Sequence, residues 1–237
     1  MKSNKSIGFF ITGTDTGVGK TYVTQQILQE LSSKSIACVA MKPVASGASQ
    51  TANGLRNDDA VKLQQASNVS VPYELLNPYC FEPAIAPHLA AQQSGVTIEL
   101  SVILDAYHEL SALADIVIVE GVGGWQVPLN TNVENSLFVS TLAEQLQLPV
   151  ILVVGLQLGC INHALLSCYS IYSSQCTMAG WIANTIDKHF LFVNECVATL
   201  QEQISKPMLA NLSWNKTELN NSIKSDVIDL DHFLINS

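Results

Sequence analysis

The chain has 237 residues, of which 48% are hydrophobic and 13% charged; that is enough apolar material for a sizeable core and excludes a disordered chain. Its 11 basic and 20 acidic residues give a net charge of -9, which excludes a nucleic-acid binder with a basic stripe and leaves any anionic ligand to local positive groups. No apolar run reaches the roughly 20 residues of a membrane span, the opening residues read as carrying no secretory signal, and none of the six cysteines forms a Cys-x-x-Cys pair, so the expectation is a cytoplasmic protein with free thiols and no membrane or nucleic-acid partner.

Taken in chain order, residues 7–12 form a short apolar run that reads as a buried strand. Residues 20–31 follow with Val23, Ile27, Leu28 and Leu31 on one helical stripe. A second strand is predicted over 36–41, and a helical stretch over 60–66 is preceded by Asn57-Asp58-Asp59. Residues 67–96, with Pro72, Pro78, Pro83 and Pro87, read as a long irregular and functional segment. Helices are expected over 98–113 and 136–146, and strands over 115–120, 149–155 and 178–184. The strands are rich in Ile and Val and barely alternate, as strands covered on both faces do. The polar tail after Trp214 gives little signal. With no repeat or linker, the chain reads as one α/β domain over 1–237, a P-loop NTPase-like, mostly parallel sheet with helices on both faces.

The strongest motif follows the first strand: Gly13-Thr14-Asp15-Thr16-Gly17-Val18-Gly19-Lys20-Thr21. Glycines allow a tight turn that aims backbone N–H groups inward, and the helix opening at Lys20 adds its N-terminal dipole. Lys20 can reach β and γ phosphates, and the Thr21 hydroxyl is placed for magnesium. Thr14 stands where the strict pattern has glycine, so this is a variant of the motif. Glu120 ends the strand 115–120 and is followed by Gly121-Val122-Gly123-Gly124; a carboxylate there points into the ligand crevice and suits a metal. Asp58 and Asp59 fit equally well as first-turn acids behind an Asn57 cap or as metal ligands. Lys42 ends the second strand and supplies a second ammonium suited to phosphoryl transfer. His88 and His163 read as hydrogen-bonded packing residues, Trp125 and Trp181 as core or interface residues.

These residues resemble the dethiobiotin synthase family. The matching blocks are Gly13 to Thr21, Lys42-Pro43-Val44-Ala45-Ser46-Gly47, Gly54-Leu55-Arg56-Asn57 with Asp59, Asn77-Pro78-Tyr79, Pro87-His88, Val119 to Trp125, residues 149–155, Leu158 to Ala164, and Ala179 to Asn184. The match fades after about residue 190. The resemblance implies a homodimeric enzyme that uses MgATP, carbon dioxide and 7,8-diaminononanoate to make dethiobiotin, ADP and phosphate through a carbamate and a carbamic-phosphoric anhydride. Carried over by position, Lys20 and Lys42 are catalytic, and Thr21, Asp59 and Glu120 hold Mg2+. Nucleotide contacts fall on Gly17, Val18, Gly19, Lys20, Thr21, Tyr22, Asp59, Glu120, Gly121, Val122, Gly123, Asn184, Leu212, Ser213 and Trp214. Substrate contacts fall on Thr16, Lys42, Ser46, Cys160 and Asn162, the last two across the subunit junction. The chain departs from the family at Gly17, acidic in many members, and at Ala210-Asn211-Leu212-Ser213-Trp214, where Gly-x-Ile-Pro-Trp is common. The alternative is an ATP-dependent dimerising switch ATPase of the chromosome-partitioning type; residues Thr14-Asp15-Thr16 lack the extra lysine those proteins usually carry.

Overall fold

A computed structural model describes residues 7–130, 136–214 and 228. In chain order the elements are β1 (Ile7–Gly13), α1 (Lys20–Ser33), β2 (Cys38–Met41), β3 (Val44–Ser46), β4 (Ser49–Thr51), β5 (Gly54–Arg56) and α2 (Asp58–Ala66). Then come α3 (Tyr73–Leu76), β6 (Tyr79–Phe81), α4 (Pro87–Gln93), α5 (Leu100–Leu113), β7 (Ile116–Glu120), β8 (Pro128–Asn130) and β9 (Leu137–Phe138). The chain continues through α6 (Val139–Leu146), β10 (Val150–Leu156), α7 (Cys160–Tyr172), β11 (Met178–Thr185), α8 (Val193–Gln203) and β12 (Met208–Leu212).

Six strands form one sheet in the order β12-β11-β10-β1-β7-β2, and every pairing in it is parallel. Side chains alternate cleanly between two cores because successive residues of a strand face opposite sides. Phe10, Val117, Val119, Leu152 and Trp181 enter the core beneath α5, α6 and α7. Phe9, Ile11, Ile116, Ile118, Ile151 and Ile182 enter the other, where α1 lays down Val23, Ile27, Leu28 and Leu31. Each such side chain contributes about 1.5–3 kcal/mol by leaving water. Burial on both faces is why these strands lack a polar alternation. Trp125 and Trp181 are both core residues; Trp125 meets Phe10 edge-on, with ring centroids 6.4 Å apart.

Several expectations need correction. Residues 67–96 are not irregular throughout, since they hold α3, β6 and α4. Two of their four prolines open helices rather than prevent them: Pro72 precedes α3 and Pro87 is the first residue of α4, where a missing N–H costs nothing. β6 pairs in parallel with β3. The helix expected over 136–146 begins at Val139, because Leu137 and Phe138 pair with β8. The buried Nδ1 of His88 has no hydrogen-bond partner among the described residues. All six cysteines are free thiols. No helix among the described residues is long and apolar enough to cross a membrane. Apart from Ile228, the tail after Trp214 lies outside the described residues.

Candidate active site

Because the six strands run parallel, their carboxyl ends lie along one edge, and the residues leaving them meet there. The loop between β1 and α1 holds Gly17 at φ 75° and Gly19 at φ 87°, left-handed values that favour glycine. A Cβ on Gly19 would also collide with the Asn184 carboxamide. That carboxamide ties β11 to the loop, its Nδ2 donating to the Val18 carbonyl at 2.8 Å. The Thr14 N–H donates to the Val153 carbonyl at 3.0 Å, which fixes the loop to β10. Gly19, Lys20 and Thr21 then open at the N-terminus of α1, where the dipole and unpaired amides favour an anion.

Glu120, at the end of β7, is fully buried. Its Oε1 accepts from Lys42 Nζ at 2.6 Å and from Thr21 Oγ1 at 2.8 Å, and its Oε2 accepts from Thr24 Oγ1 at 3.0 Å. Lys42, at the end of β2's chain segment, also donates to the Gly121 carbonyl at 3.3 Å and lies 3.9 Å from Asp59 Oδ2. Two hydrogen bonds from Lys42 and three to the Glu120 carboxylate offset much of the desolvation that burying the pair costs. Lys20 Nζ donates to the carbonyls of Asp15 at 2.9 Å and Gly123 at 2.6 Å. Burial, then the nearby charge of Lys42, push its ammonium down to about 8, against weaker upward pulls from Glu120, Asp59 and Asp15.

These groups line a cleft of about 680 Å³. Of the residues expected at the site, it brings together Thr16, Gly17, Gly19, Lys20, Thr21, Lys42, Ser46, Asp59, Glu120, Val122 and Gly123. A second depression of about 230 Å³ shares Gly17 and is lined by Tyr22, Asn184, Ser213 and Trp214. Val18 is buried and reaches the site through its carbonyl, as Gly121 does. Leu212 lines neither space; it is buried in the core against α1's side of the sheet. Cys160 and Asn162 also stand apart from the cleft: Cys160 is buried at the start of α7 and Asn162 is exposed. Asp58 is exposed and does not line the cleft, whereas Asp59 does.

The two readings of Asn57-Asp58-Asp59 turn out to be compatible. Asn57 caps α2, its Oδ1 accepting from the N–H groups of Asp59 and Ala60, and the same turn places Asp59 on the cleft. The sequence reading missed Thr24, although it stands three positions after Thr21 and so shares its helix face. It also missed the apolar wall of Ala84, Ile85, Ala86 and Pro87. No group of three or more His, Cys, Asp or Glu side chains converges among the described residues. Thr21, Glu120 and Asp59 instead offer a sparse set of hard oxygen donors, the set that suits Mg2+ sharing its coordination with phosphates and water.

A parallel sheet whose first strand runs through Gly-Lys-Thr into a helix, with a buried acid ending the next strand, defines a P-loop nucleotide-binding protein. Solved structures share the fold. A ParA family ATPase from Chlorobium tepidum TLS superposes with a TM-score of 0.54 at 15% identity, covering 90% of this chain and 86% of that one. The signal recognition particle receptor FtsY from Elizabethkingia anophelis, in complex with GDP, gives 0.53 at 14% identity, covering 89% of this chain and 58% of that one. At such identities the likeness is one of fold. Residues 8–221 match the family described as AAA domain. The chain is 46% identical over 204 residues to the ATP-dependent dethiobiotin synthetase BioD of Xylella fastidiosa (strain 9a5c), covering 86% of this chain and 88% of that one. It is 48% identical over 205 residues to the protein of that name from Pseudomonas paraeruginosa (strain DSM 24068 / PA7), with the same coverages of 86% and 88%. The chain belongs to the dethiobiotin synthetase family.

Proposed function

We propose that this chain is an ATP-dependent, homodimeric cytoplasmic ligase that closes the ureido ring of dethiobiotin from 7,8-diaminononanoate and carbon dioxide. One amine of the diamine adds to carbon dioxide and loses a proton, giving a carbamate. The γ-phosphoryl group of ATP passes to a carbamate oxygen and ADP leaves. The second amine attacks the carbamate carbon, and the carbon–oxygen bond to phosphate breaks. Carbamate oxygen leaves poorly until phosphorylated, so the protein's part is positioning and charge stabilisation.

The observation that carries this reading is the convergence of two ammonium groups, Lys20 and Lys42, with Thr16 and Ser46 on one cleft. Lys20 holds the phosphates against the α1 N-terminus. Lys42 stabilises charge on the carbamate and the transferring phosphoryl group. Thr16 and Ser46 position the diamine or its carbamate; the buried Ser46 Oγ has no other partner among the described residues. Thr21, Glu120 and Asp59 hold Mg2+, which when bound neutralises phosphate charge. The depression between Tyr22, Asn184 and Trp214 takes the adenine. Cys160 and Asn162 serve the substrate tail in the partner's cleft. An unpartnered apolar face beside them supports that junction, with Leu158, Leu166, Tyr169 and Tyr172 exposed by 92%, 60%, 65% and 41%.

The test is purified protein with diamine, bicarbonate and MgATP. One phosphate released per dethiobiotin formed is expected. ATP hydrolysis that proceeds equally without the diamine would overturn the reading.

A further inference from the structure

We infer that Tyr73 is a positioning residue for the reaction, its hydroxyl locking the strand that carries Lys42 to the helix that carries Asp59. The inference rests on the function proposed above but concerns residues outside its machinery.

Tyr73 opens α3 and is buried. Its hydroxyl accepts from the Asn57 N–H at 2.9 Å and donates to Asn77 Oδ1 at 3.0 Å. Each asparagine then reaches one half of the cleft. Asn77 Nδ2 donates to the Lys42 carbonyl at 2.6 Å and to the Tyr79 carbonyl at 3.1 Å. Asn57 Nδ2 donates to the Ser46 carbonyl at 3.1 Å while its Oδ1 caps the turn bearing Asp59. One phenolic oxygen thus joins the backbone of Lys42 to the backbone of Asp59, whose side chains face each other at 3.9 Å. All three polar residues are buried, at 6%, 7% and 3% exposure for Tyr73, Asn57 and Asn77, so water does not replace a lost bond cheaply. The ring is held from outside by the only arginine in the chain, Arg56, whose guanidinium carbon lies 4.0 Å above its centroid. Within this network the hydroxyl touches neither phosphate loop nor Lys20, so its removal acts on one side of the cleft.

The test is Tyr73→Phe, which keeps the ring and its stacking but removes the oxygen. Turnover is expected to fall about ten- to a hundredfold, the effect of a small misplacement of reacting groups. The KM for ATP stays within about twofold because the phosphate loop is untouched, while the Mg2+ concentration for half-maximal rate rises. In the protein alone, amide exchange at Asn57, Asp59 and Ala60 speeds up. Tyr107→Phe is the stability control: that buried hydroxyl lies beside Gly8, at the end of β1 away from the loop. It is expected to lose stability without losing turnover. A Tyr73→Phe protein with unchanged turnover, Mg2+ requirement and amide exchange overturns the inference, as does an equal fall in turnover for Tyr107→Phe. If the unaltered chain makes no dethiobiotin, the proposed function fails, and amide exchange alone still decides whether Tyr73 holds the two segments.

Discussion

Replacing Lys20 by methionine separates what this residue does for the reaction from what it does to the fold. Its ammonium is buried and falls from an ordinary value of 10.5 to about 8, a difference of about 3 kcal/mol carried by the folded state at neutral pH. Methionine keeps most of the apolar stem and removes that burden. The lost hydrogen bonds to the Asp15 and Gly123 carbonyls offset about 1 kcal/mol or somewhat more. Lys20→Met is therefore expected to be more stable than the natural chain by about 1–2 kcal/mol at pH 7, although turnover drops by about 10² to 10³. The sign follows from proton counts. Between about 8 and 10.5 the unfolded lysine holds a proton that the folded one has released, so stability of the natural chain rises with pH through that window. The advantage of the variant is largest below pH 8 and closes toward 10.5. Urea unfolding of both proteins from pH 6.5 to 10.5 measures it. A variant less stable at pH 7, or an advantage independent of pH, would refute the argument that burial sets this ammonium.

Glu120→Gln removes the nearer, fully buried anion from Lys42 and leaves it only Asp59 at 3.9 Å; a loss of about 3 kcal/mol in urea unfolding and at least a hundredfold in turnover is expected, and an unshifted midpoint would contradict the geometry. Leu166→Glu with Tyr169→Glu places charges on the exposed face of α7. If the chain forms the dimer proposed above, sedimentation is expected to show monomers in its place, with turnover lost and the fold retained by circular dichroism; an unchanged association state would refute the assignment of this face to the junction.

The sheet was legible because its strands are covered on both faces. Residues 7–12, 115–120, 149–155 and 178–184 had no other plausible place than a parallel core, and β1, β7, β10 and β11 follow them closely. β12 escaped notice because an edge strand reading Met-Leu-Ala-Asn-Leu carries neither a β-branched run nor a clear period. β3 and β6 are three residues each, too short for periodicity, and their pairing is set by tertiary contact. Of the site, the groups at strand ends were readable: Lys42 and Glu120 each close an apolar run, whereas Asn184 entered only through the family resemblance. The Tyr73 bridge was not readable. Tyr73 and Asn77 stand one helical turn apart, but Asn57 meets them only because α3 folds back beneath the cap of α2, and no spacing in a single sequence announces that contact. Leu212 lines neither space because alternation along β12 turns its side chain into the core.

All strands of the sheet also begin on a common edge, opposite the cleft. The turns feeding β2 and β10 pass through Ser35 and Gln147, at φ 60° and 55°, and Lys34 beside the first is exposed. A seven-residue strand such as β1 puts roughly 20 Å between the two edges. That far edge is a handle: a dye, a tether or a fused reporter carried there can signal from the working enzyme without touching its chemistry.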